Sequence, residues 1–234
     1  PNIDVLAGDG IRMTHGYASA AVCGPTRAGL LSGRYQQRFG VHGNKDILGK
    51  GFSEQLTMAD ALKKCGYTTG MIGKWHLGRF TKDLWPTGRG FDEFYGFLKS
   101  MRTYFGKTPR NPIYRNETPV GAKDGYLTDS FNEEAVSFIN RHSHQQQPFF
   151  MYLPYNAPHY PMEARADHLK EFNTGNQQRD LYLAMMKSVD EGVGMVTHTL
   201  KKNKTYENTL IIFLSDNGGI PNKGANNGIL RGEK

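Results

Sequence analysis

A cysteine followed by turn and basic residues stands near the start of the chain. Residues 23–34 read Cys-Gly-Pro-Thr-Arg-Ala-Gly-Leu-Leu-Ser-Gly-Arg. Pro25 suits the first turn of a helix and Gly33 suits its end, so Cys23 is predicted just before a short helix whose N–H groups face it. That position stabilises an anion, and Arg27, one turn along, can point back at it. The pattern predicts a thiol that is activated or open to modification, although a buried structural cysteine before an ordinary helix has the same pattern.

Further polar residues follow two predicted strands. Lys74 and His76 lie two residues apart just past the run Thr68–Ile72, and an extended backbone would direct both side chains to one side. A cation and a proton donor would then face one oxyanion. His159 follows the run Phe149–Leu153 in a loop whose prolines restrict its backbone, as a positioned catalytic histidine requires. Each of these residues alone is also typical of a solvated surface.

A third apolar run, Thr209–Leu214, is also predicted as a strand, and it leads into Ser-Asp-Asn-Gly-Gly. Asp216 and Asn217 offer a carboxylate and an amide oxygen beside glycines that permit tight backbone geometry. Oxygen ligands suit a hard cation, Ca²⁺ or Mg²⁺, rather than zinc. An ordinary turn without a metal has the same sequence.

The elements that must position these residues alternate between strands and helices. Helices are predicted over Glu54–Cys65, Thr128–His142 and about Gln178–Lys202. In the last one, apolar residues recur at spacings of three or four and form a core face; they are Leu181, Met185, Val189, Val193, Val196 and Leu200. The alternation predicts an α/β three-layer sandwich with a largely parallel central sheet. The stretch from Tyr104 to Gly125, rich in Pro, Gly, Asn and charge, is predicted as a long excursion, either a substrate mouth or a plain surface loop.

The composition indicates an anionic partner. The 234 residues carry 29 Lys and Arg against 22 Asp and Glu, a net charge of +7, which is common in proteins that bind nucleic acid, anionic membranes or acidic glycans. No nucleic-acid motif or aromatic–basic platform is present, so no nucleic-acid partner is predicted. No apolar run approaches the roughly 20 residues of a membrane span. Two cysteines, Cys23 and Cys65, are too few for a disulfide framework, and the sequence is silent on the oligomeric state.

Three motifs resemble those of the sulfatase family. Residues 23–34 resemble its signature Cys-x-Pro-Ser-Arg followed by Leu-x-Gly-Arg, with Thr26 in place of the usual serine. Residues 66–78, Gly-Tyr-Thr-Thr-Gly-Met-Ile-Gly-Lys-Trp-His-Leu-Gly, match a second signature, and residues 230–234 resemble Leu-Arg-Gly-x-Lys. The resemblance extends over nearly all of the chain and is strongest to the arylsulfatase A/B and N-acetylgalactosamine sulfatase branch. It implies an alkaline phosphatase/sulfatase-like fold.

The resemblance also implies a nucleophile. In this family a formylglycine-generating enzyme oxidises the motif cysteine to formylglycine, whose hydrate attacks the sulfate ester. On this chain Cys23 would become that nucleophile, and Arg27 would orient and help to activate it. The sulfate oxygens and the leaving-group oxygen would be bound by Lys74, Lys234 and His159. His76 would assist the collapse of the covalent sulfate ester.

A metal site is implied in the same way. The family's cation, Ca²⁺ or alternatively Mg²⁺, would be held by Asp216, Asn217 and the modified Cys23. The family also uses a pair of adjacent aspartates on a first strand, which has no counterpart in this sequence. We therefore expect residues 1–234 to be a partial sulfatase catalytic domain that lacks its N-terminal metal-binding strand and its C-terminal part.

The implied activity is hydrolysis of sulfate esters on sulfated carbohydrates or aryl sulfates. By resemblance the enzyme would be exported, to the periplasm, the lysosome or the cell exterior. One alternative is a non-catalytic protein that binds sulfated glycans through the same basic pocket. Another is a phosphatase or phosphodiesterase of the same superfamily, although these usually use Ser or Thr with two zinc ions and a richer set of Asp and His.

Overall fold

Helices and strands alternate along the chain in the computed structural model, which describes residues 1–48, 50–106, 111–121 and 125–234. The α-helices are α1 (Asn2–Gly8), α2 (Cys23–Ser32), α3 (Lys50–Ser53), α4 (Met58–Lys64), α5 (Leu127–His142), α6 (Ala166–Leu169) and α7 (Gln177–Lys202). The strands are β1 (Thr68–Lys74), β2 (Glu93–Phe97), β3 (Ile113–Arg115), β4 (Thr118–Val120) and β5 (Phe149–Tyr152). Short 3₁₀ helices lie at Gln36–Phe39, Asp46–Leu48, Lys82–Leu84, Pro86–Arg89, Tyr206–Asn208 and Pro221–Lys223.

The strands form one mixed sheet in the order β4-β3-β2-β1-β5. β1 pairs in parallel with β2 on one side and with β5 on the other, so these three strands form the parallel part of the sheet. β3 and β4 pair antiparallel, and β3 is also antiparallel to β2. The α/β class is confirmed, while the sheet is mixed because the predicted excursion contains a hairpin. Its turn holds Asn116 at φ 53°, the left-handed conformation that Asn tolerates in tight hairpins.

Hydrophobic side chains cover both faces of the sheet. Met71 of β1 belongs to one buried cluster and the next residue, Ile72, to the other, because successive side chains of a strand point to opposite faces. Ala28 of α2 lies in the first cluster and Phe138 of α5 in the second. Helices therefore pack on both faces, as the predicted three-layer sandwich requires.

The long helices match their predictions closely. α5 begins at Leu127 rather than Thr128, and α7 begins at Gln177 after Asn176, whose side chain accepts hydrogen bonds from the N–H groups of Gln178 and Arg179. Met185, Val189, Val193 and Leu200 of α7 are buried, and Leu181 and Val196 are half-buried. Within the described ranges, no helix combines the length and apolarity needed to cross a membrane.

The helix predicted over Glu54–Cys65 is shorter in the structure. α4 begins at Met58 because Thr57 forms a capping box with Asp60: the Thr57 hydroxyl accepts from the Asp60 N–H, and the Asp60 side chain accepts from the Thr57 N–H. This reciprocal pair satisfies two N–H groups at the helix end. Residues 54–57 consequently lie outside the helix.

The predicted strand Thr209–Leu214 is wrong. The segment has no strand assignment, and the side chains of Leu210 and Ile212 are 86% and 73% exposed. A strand needs a neighbour that pairs its N–H and C=O groups, and no strand in the described part of the chain pairs with it. The apolar pattern is therefore present without the partner that would convert it into a strand.

Candidate active site

Cys23 is the first residue of α2 and is only 2% exposed. Gly33 ends the helix in the left-handed conformation, as the sequence predicts. The helix begins one residue earlier than predicted, because Cys23 is already helical and the extended Val22 is its N-cap. The Cys23 Sγ atom lies 3.2 Å from Nδ1 of His76. The thiol therefore lies where the free N–H groups of a helix stabilise an anion, with a titratable ring beside it. Both cysteines, Cys23 and the exposed Cys65, are free thiols.

Asn44 also faces this thiol, although no sequence motif predicts that it does. Its Oδ1 atom accepts a 3.0 Å hydrogen bond from the Gly24 N–H and lies 3.9 Å from the Cys23 Sγ. It thereby caps the N-terminal end of α2 from a separate loop. Only the sequence Gly-Asn in a turn-rich stretch could have suggested a capping role, and nothing in it indicates the partner.

Arg27 connects α2 to two other parts of the site. Its Nε donates to Oδ2 of Asp216 at 2.9 Å, its Nη2 lies 2.8 Å from the same oxygen, and its Nη1 donates to the Lys74 carbonyl at 2.7 Å. The guanidinium is buried at 4% exposure. Burial acts to lower the pKa of Arg27, but Tyr152 and Asp216 outweigh it and the pKa is raised. Arg27 is therefore a fixed cation that ties the Asp216 turn to the end of β1.

Lys74 and His76 both reach the site, although not through a continuous extended backbone. Lys74 is the last residue of β1, whereas His76 adopts φ 59°. Burial, and next the charge of Arg27, lowers the pKa of Lys74 to about 8. Burial, and next Lys74, lowers the pKa of His76 to about 3. At neutral pH the ring that faces Cys23 is therefore uncharged.

His159 lies in the loop after β5 and is half-buried. Its Nδ1 is 2.6 Å from the Tyr160 carbonyl oxygen; because a carbonyl only accepts, Nδ1 carries the proton and Nε2 is the acceptor in the neutral ring. Burial, and next the charge of Lys74, lowers the pKa of His159 to about 4, and Lys234 contributes in the same direction.

Lys234 joins the same group of residues. Its charge lowers the pKa of Lys74 and His76 as well as that of His159. The structure thus brings together the six residues predicted to be catalytic, and it sets three cations around one carboxylate. Such a concentration of positive charge in a largely buried site favours an anionic ligand.

The side chain of Asn227 links the turn after Asp216 to the segment that ends at Lys234, and no motif predicts this role. Its side-chain amide accepts from the Gly219 N–H at 2.8 Å and donates to the carbonyls of Gly219 at 3.0 Å and Gly232 at 3.1 Å. The turn that follows Asp216 is therefore held beside the segment that ends at Lys234.

Asp216 and Asn217 offer oxygen atoms of the type that a hard cation requires. The Asn217 Oδ1 atom is buried and finds no hydrogen-bond partner among the described residues. Both Arg27 contacts fall on Oδ2 of Asp216, so Oδ1 is outside that ion pair. These donors fit Ca²⁺ or Mg²⁺ in kind. They are two of the roughly six to eight oxygens that Ca²⁺ takes, and the described residues contain no cluster of three or more His, Cys, Asp and Glu suited to a metal.

A family model described as Sulfatase matches residues 1–234. The chain belongs to the sulfatase family. The resemblance of the motifs around Cys23 and Lys74 is thereby confirmed.

Two curated sulfatases illustrate the relationship. The chain is 36% identical to the uncharacterized sulfatase YdeN of Escherichia coli (strain K12), over 94% of this chain and 43% of the relative. It is 32% identical to N-acetylgalactosamine-6-sulfatase of Canis lupus familiaris, over 97% of this chain and 48% of the relative. The chain therefore spans less than half the length of these relatives.

A solved structure has the same fold as nearly the whole of this chain. The crystal structure of Ps i-CgsB in complex with k-i-k-neocarrahexaose superposes with a TM-score of 0.93 at 38% identity. The match covers 99% of this chain and 56% of that one. The α/β architecture expected from the family resemblance is confirmed.

Proposed function

We propose that this protein hydrolyses sulfate esters and that residues 1–234 supply its nucleophile and most of its sulfate-binding groups. The observation that carries the proposal is the position of Cys23, buried at the N-terminal end of α2 with Nδ1 of His76 at 3.2 Å. Arg27 and Lys74 lie close enough to Cys23 to interact with it electrostatically, and the charge of Lys234 acts on the adjacent His76. A sulfate ester needs both a strong oxygen nucleophile and cations that stabilise the developing charge.

The nucleophile is the hydrate of the formylglycine that the modifying enzyme makes from Cys23, and one of its hydroxyls would take the place of the thiol. One hydroxyl oxygen forms a bond to sulfur while the bond from sulfur to the ester oxygen breaks. Lys74 and Lys234 hold the sulfate oxygens, and His159 lies on the leaving-group side. The departing oxygen takes the proton that the attacking hydroxyl releases, and the uncharged His159 ring, whose Nε2 is an acceptor, relays it.

The second hydroxyl provides the exit from the covalent sulfate ester. His76 takes its proton, the carbon–oxygen bond to the sulfate group breaks, and the aldehyde returns as inorganic sulfate leaves. A plain serine or cysteine lacks this second hydroxyl. The His76 ring is uncharged at the start of the step, so it can accept a proton. Its pKa of about 3 makes it a weak base in the free enzyme, and the bound sulfate, by offsetting the neighbouring cations, would make it a stronger one.

The cation of the proposal is Ca²⁺, or alternatively Mg²⁺. Asp216 and Asn217 would hold it together with the modified Cys23. When bound, it supplies positive charge to the sulfate oxygens. The buried amide oxygen of Asn217, which finds no partner among the described residues, supports this assignment.

We propose a sulfated carbohydrate as the natural substrate, with aryl sulfates as simpler analogues. One relative is named an N-acetylgalactosamine-6-sulfatase, and the solved structure of Ps i-CgsB is a complex with k-i-k-neocarrahexaose. The net charge of +7 suits a polyanionic glycan. By the same family resemblance we propose that the protein is exported, to the periplasm, the lysosome or the cell exterior.

The proposal also requires a formylglycine-generating enzyme as a partner. Cys23 is 2% exposed in the folded chain, so a modifying enzyme cannot reach its thiol there. Conversion of Cys23 must therefore precede or accompany folding.

The deciding experiment is the mass of the Cys23 peptide from protein expressed with its modifying enzyme. Replacing CH₂SH by CHO lowers the mass by roughly 18 Da. Cys23→Ala should reduce sulfate-ester hydrolysis at least about 1000-fold, since it removes the nucleophile. Cys65→Ala is the matched control, because it removes the other, exposed thiol, and its activity should stay at the parent level.

Two results would overturn the proposal. Hydrolysis that survives Cys23→Ala would exclude a nucleophile at this position. An unmodified, inactive protein that still binds sulfated glycan would favour the alternative of a non-catalytic binding protein.

A further inference from the structure

Tyr104 is a buried residue whose hydroxyl contacts the loop that carries His159. Its side chain is 1% exposed, and its hydroxyl lies 2.8 Å from the Asn156 carbonyl oxygen and 3.0 Å from the His159 carbonyl oxygen. The single hydroxyl proton is shared between these two acceptors. The same turn is closed by a 2.7 Å bond from the His159 N–H to the Asn156 carbonyl. One side chain therefore holds both ends of the turn.

Tyr104 is itself fixed on several sides. Its backbone N–H donates to Oε2 of Glu163 at 2.6 Å, and its carbonyl accepts from the Leu127 N–H at 2.8 Å. Its ring stacks on Tyr126, with centroids 5.5 Å apart and an angle of 22° between the planes. The hydroxyl consequently has one position relative to the His159 loop.

We propose that Tyr104 is a positioning residue for His159. It holds the His159 carbonyl, while the Tyr160 carbonyl on the other side accepts from Nδ1 at 2.6 Å. The two contacts together direct Nε2 of His159 toward the site of Lys74 and Lys234. This inference rests on the proposed function, in which His159 serves the leaving group.

The hydroxyl remains a donor at every pH at which the enzyme would work. Burial raises the pKa of Tyr104 well above its ordinary value. Tyr104 therefore does not titrate in the working range, and its effect on catalysis acts through the geometry of His159. This distinguishes it from a group that exchanges protons with the substrate.

The test compares two tyrosines of one stacked pair in the full-length enzyme, with Cys23 converted to formylglycine and the divalent cation bound. Tyr104→Phe keeps the ring and removes the hydroxyl from the His159 turn. Tyr126→Phe is the control, because the Tyr126 hydroxyl donates to the Glu163 carbonyl at 2.8 Å instead. We expect Tyr104→Phe to lower kcat about 10- to 100-fold with KM changed about twofold at most, since small displacements of a catalytic group have effects of this size. Tyr126→Phe should stay within about twofold of the parent enzyme.

A double-mutant cycle identifies the route of the effect. In a His159→Gln background, Tyr104→Phe should lower kcat less than about twofold, because the imidazole that it positions is gone. Equal losses from the two tyrosine variants, or a Tyr104→Phe loss that is undiminished without His159, would overturn the inference and leave Tyr104 a structural residue only.

A second readout does not depend on turnover. The imidazole resonances of His159, assigned by their loss in His159→Gln, should report a higher pKa in Tyr104→Phe than the value of about 4 in the parent, because a freed ring gains solvent. Unchanged resonances would sink the inference even in an active enzyme. A parent protein with no sulfate-ester hydrolysis would instead contradict the proposed function, and these resonances would still decide the role of Tyr104.

Discussion

Lys74 is a buried lysine whose surroundings lower the pKa of its ammonium group. Its side chain is 1% exposed at the end of β1. Burial, followed by the nearby charge of Arg27, lowers its pKa to about 8, while Cys23 and Asp216 act in the opposite direction. The site is therefore built around an ammonium group that titrates close to neutral pH, far below the range of an ordinary lysine.

This residue sets an expected pH limit on activity. On the proposed function the protonated ammonium binds sulfate, so its contribution should be present below the pKa and be lost as the pH rises through about 8. We expect kcat/KM, which reports the free enzyme, to fall above that pH. Lys74→Arg should move the fall to higher pH, because a guanidinium stays charged, even where the maximal rate is lower.

A distant lysine provides the control for the pH profile. Lys63 lies 2.6 Å from Asp92 in an ion pair outside the site, so Lys63→Arg should leave the profile unchanged. If Lys74→Arg showed the same alkaline fall as the parent enzyme, another group would be responsible for it.

At the scale of elements, the end of β1 is placed by a close backbone approach. Gly73 adopts φ 127°, and a Cβ added there would lie 2.2 Å from the Pro154 carbonyl oxygen. That same oxygen accepts from the Lys74 N–H at 2.8 Å. Only glycine allows β1 to come this close to the loop after β5, and the approach places Lys74 and the His159 loop on one side of the sheet.

Gly73→Ala should therefore damage both stability and the site. We expect the free energy of unfolding to fall by at least about 2 kcal/mol, from the strained backbone and the clash together, and activity to fall with it. Gly66→Ala is the control: Gly66 has φ 84° but no atom within 4 Å of an added Cβ, so it should cost only about 1 kcal/mol. Chemical denaturation measures both, and equal losses would contradict the role of the clash.

At the scale of the whole chain, the net charge of +7 on residues 1–234 should, on the proposed function, help to attract a polysulfated substrate. Raising the salt concentration from 0.05 to 0.2 M should raise KM several-fold for a polysulfated oligosaccharide but about twofold or less for a monosulfated aryl ester, because screening acts on every charge outside the catalytic pocket. The kcat values should change little. Steady-state kinetics with both substrates tests this, and equal salt effects would assign the attraction to the catalytic pocket alone.

The sequence by itself determined the parts that depend on neighbouring residues. Pro25 and Gly33 delimit α2 through their local conformations, so the position of Cys23 at its start could be predicted. The long helices α5 and α7 follow from apolar spacing within one element. Lys74 and His76 could be assigned to one site from their place at the end of the predicted strand. The positive φ of His76 shows that the backbone between them is not the continuous extended one that the sequence predicts.

Only the tertiary structure decided features that join distant parts of the chain. Thr209–Leu214 has the pattern of a strand but forms none, because a strand depends on a pairing partner that local pattern does not specify. The hairpin β3–β4 was not predicted, because it lies in a stretch whose composition is typical of a loop. Asn44 and Tyr104 act through hydrogen bonds to residues 20 or more positions away in the sequence. A polar residue in a turn gives no sign of which distant carbonyl or N–H it will contact. Local motifs therefore identify the residue types that can carry out the chemistry. The contacts that hold these residues in place form only when the chain folds.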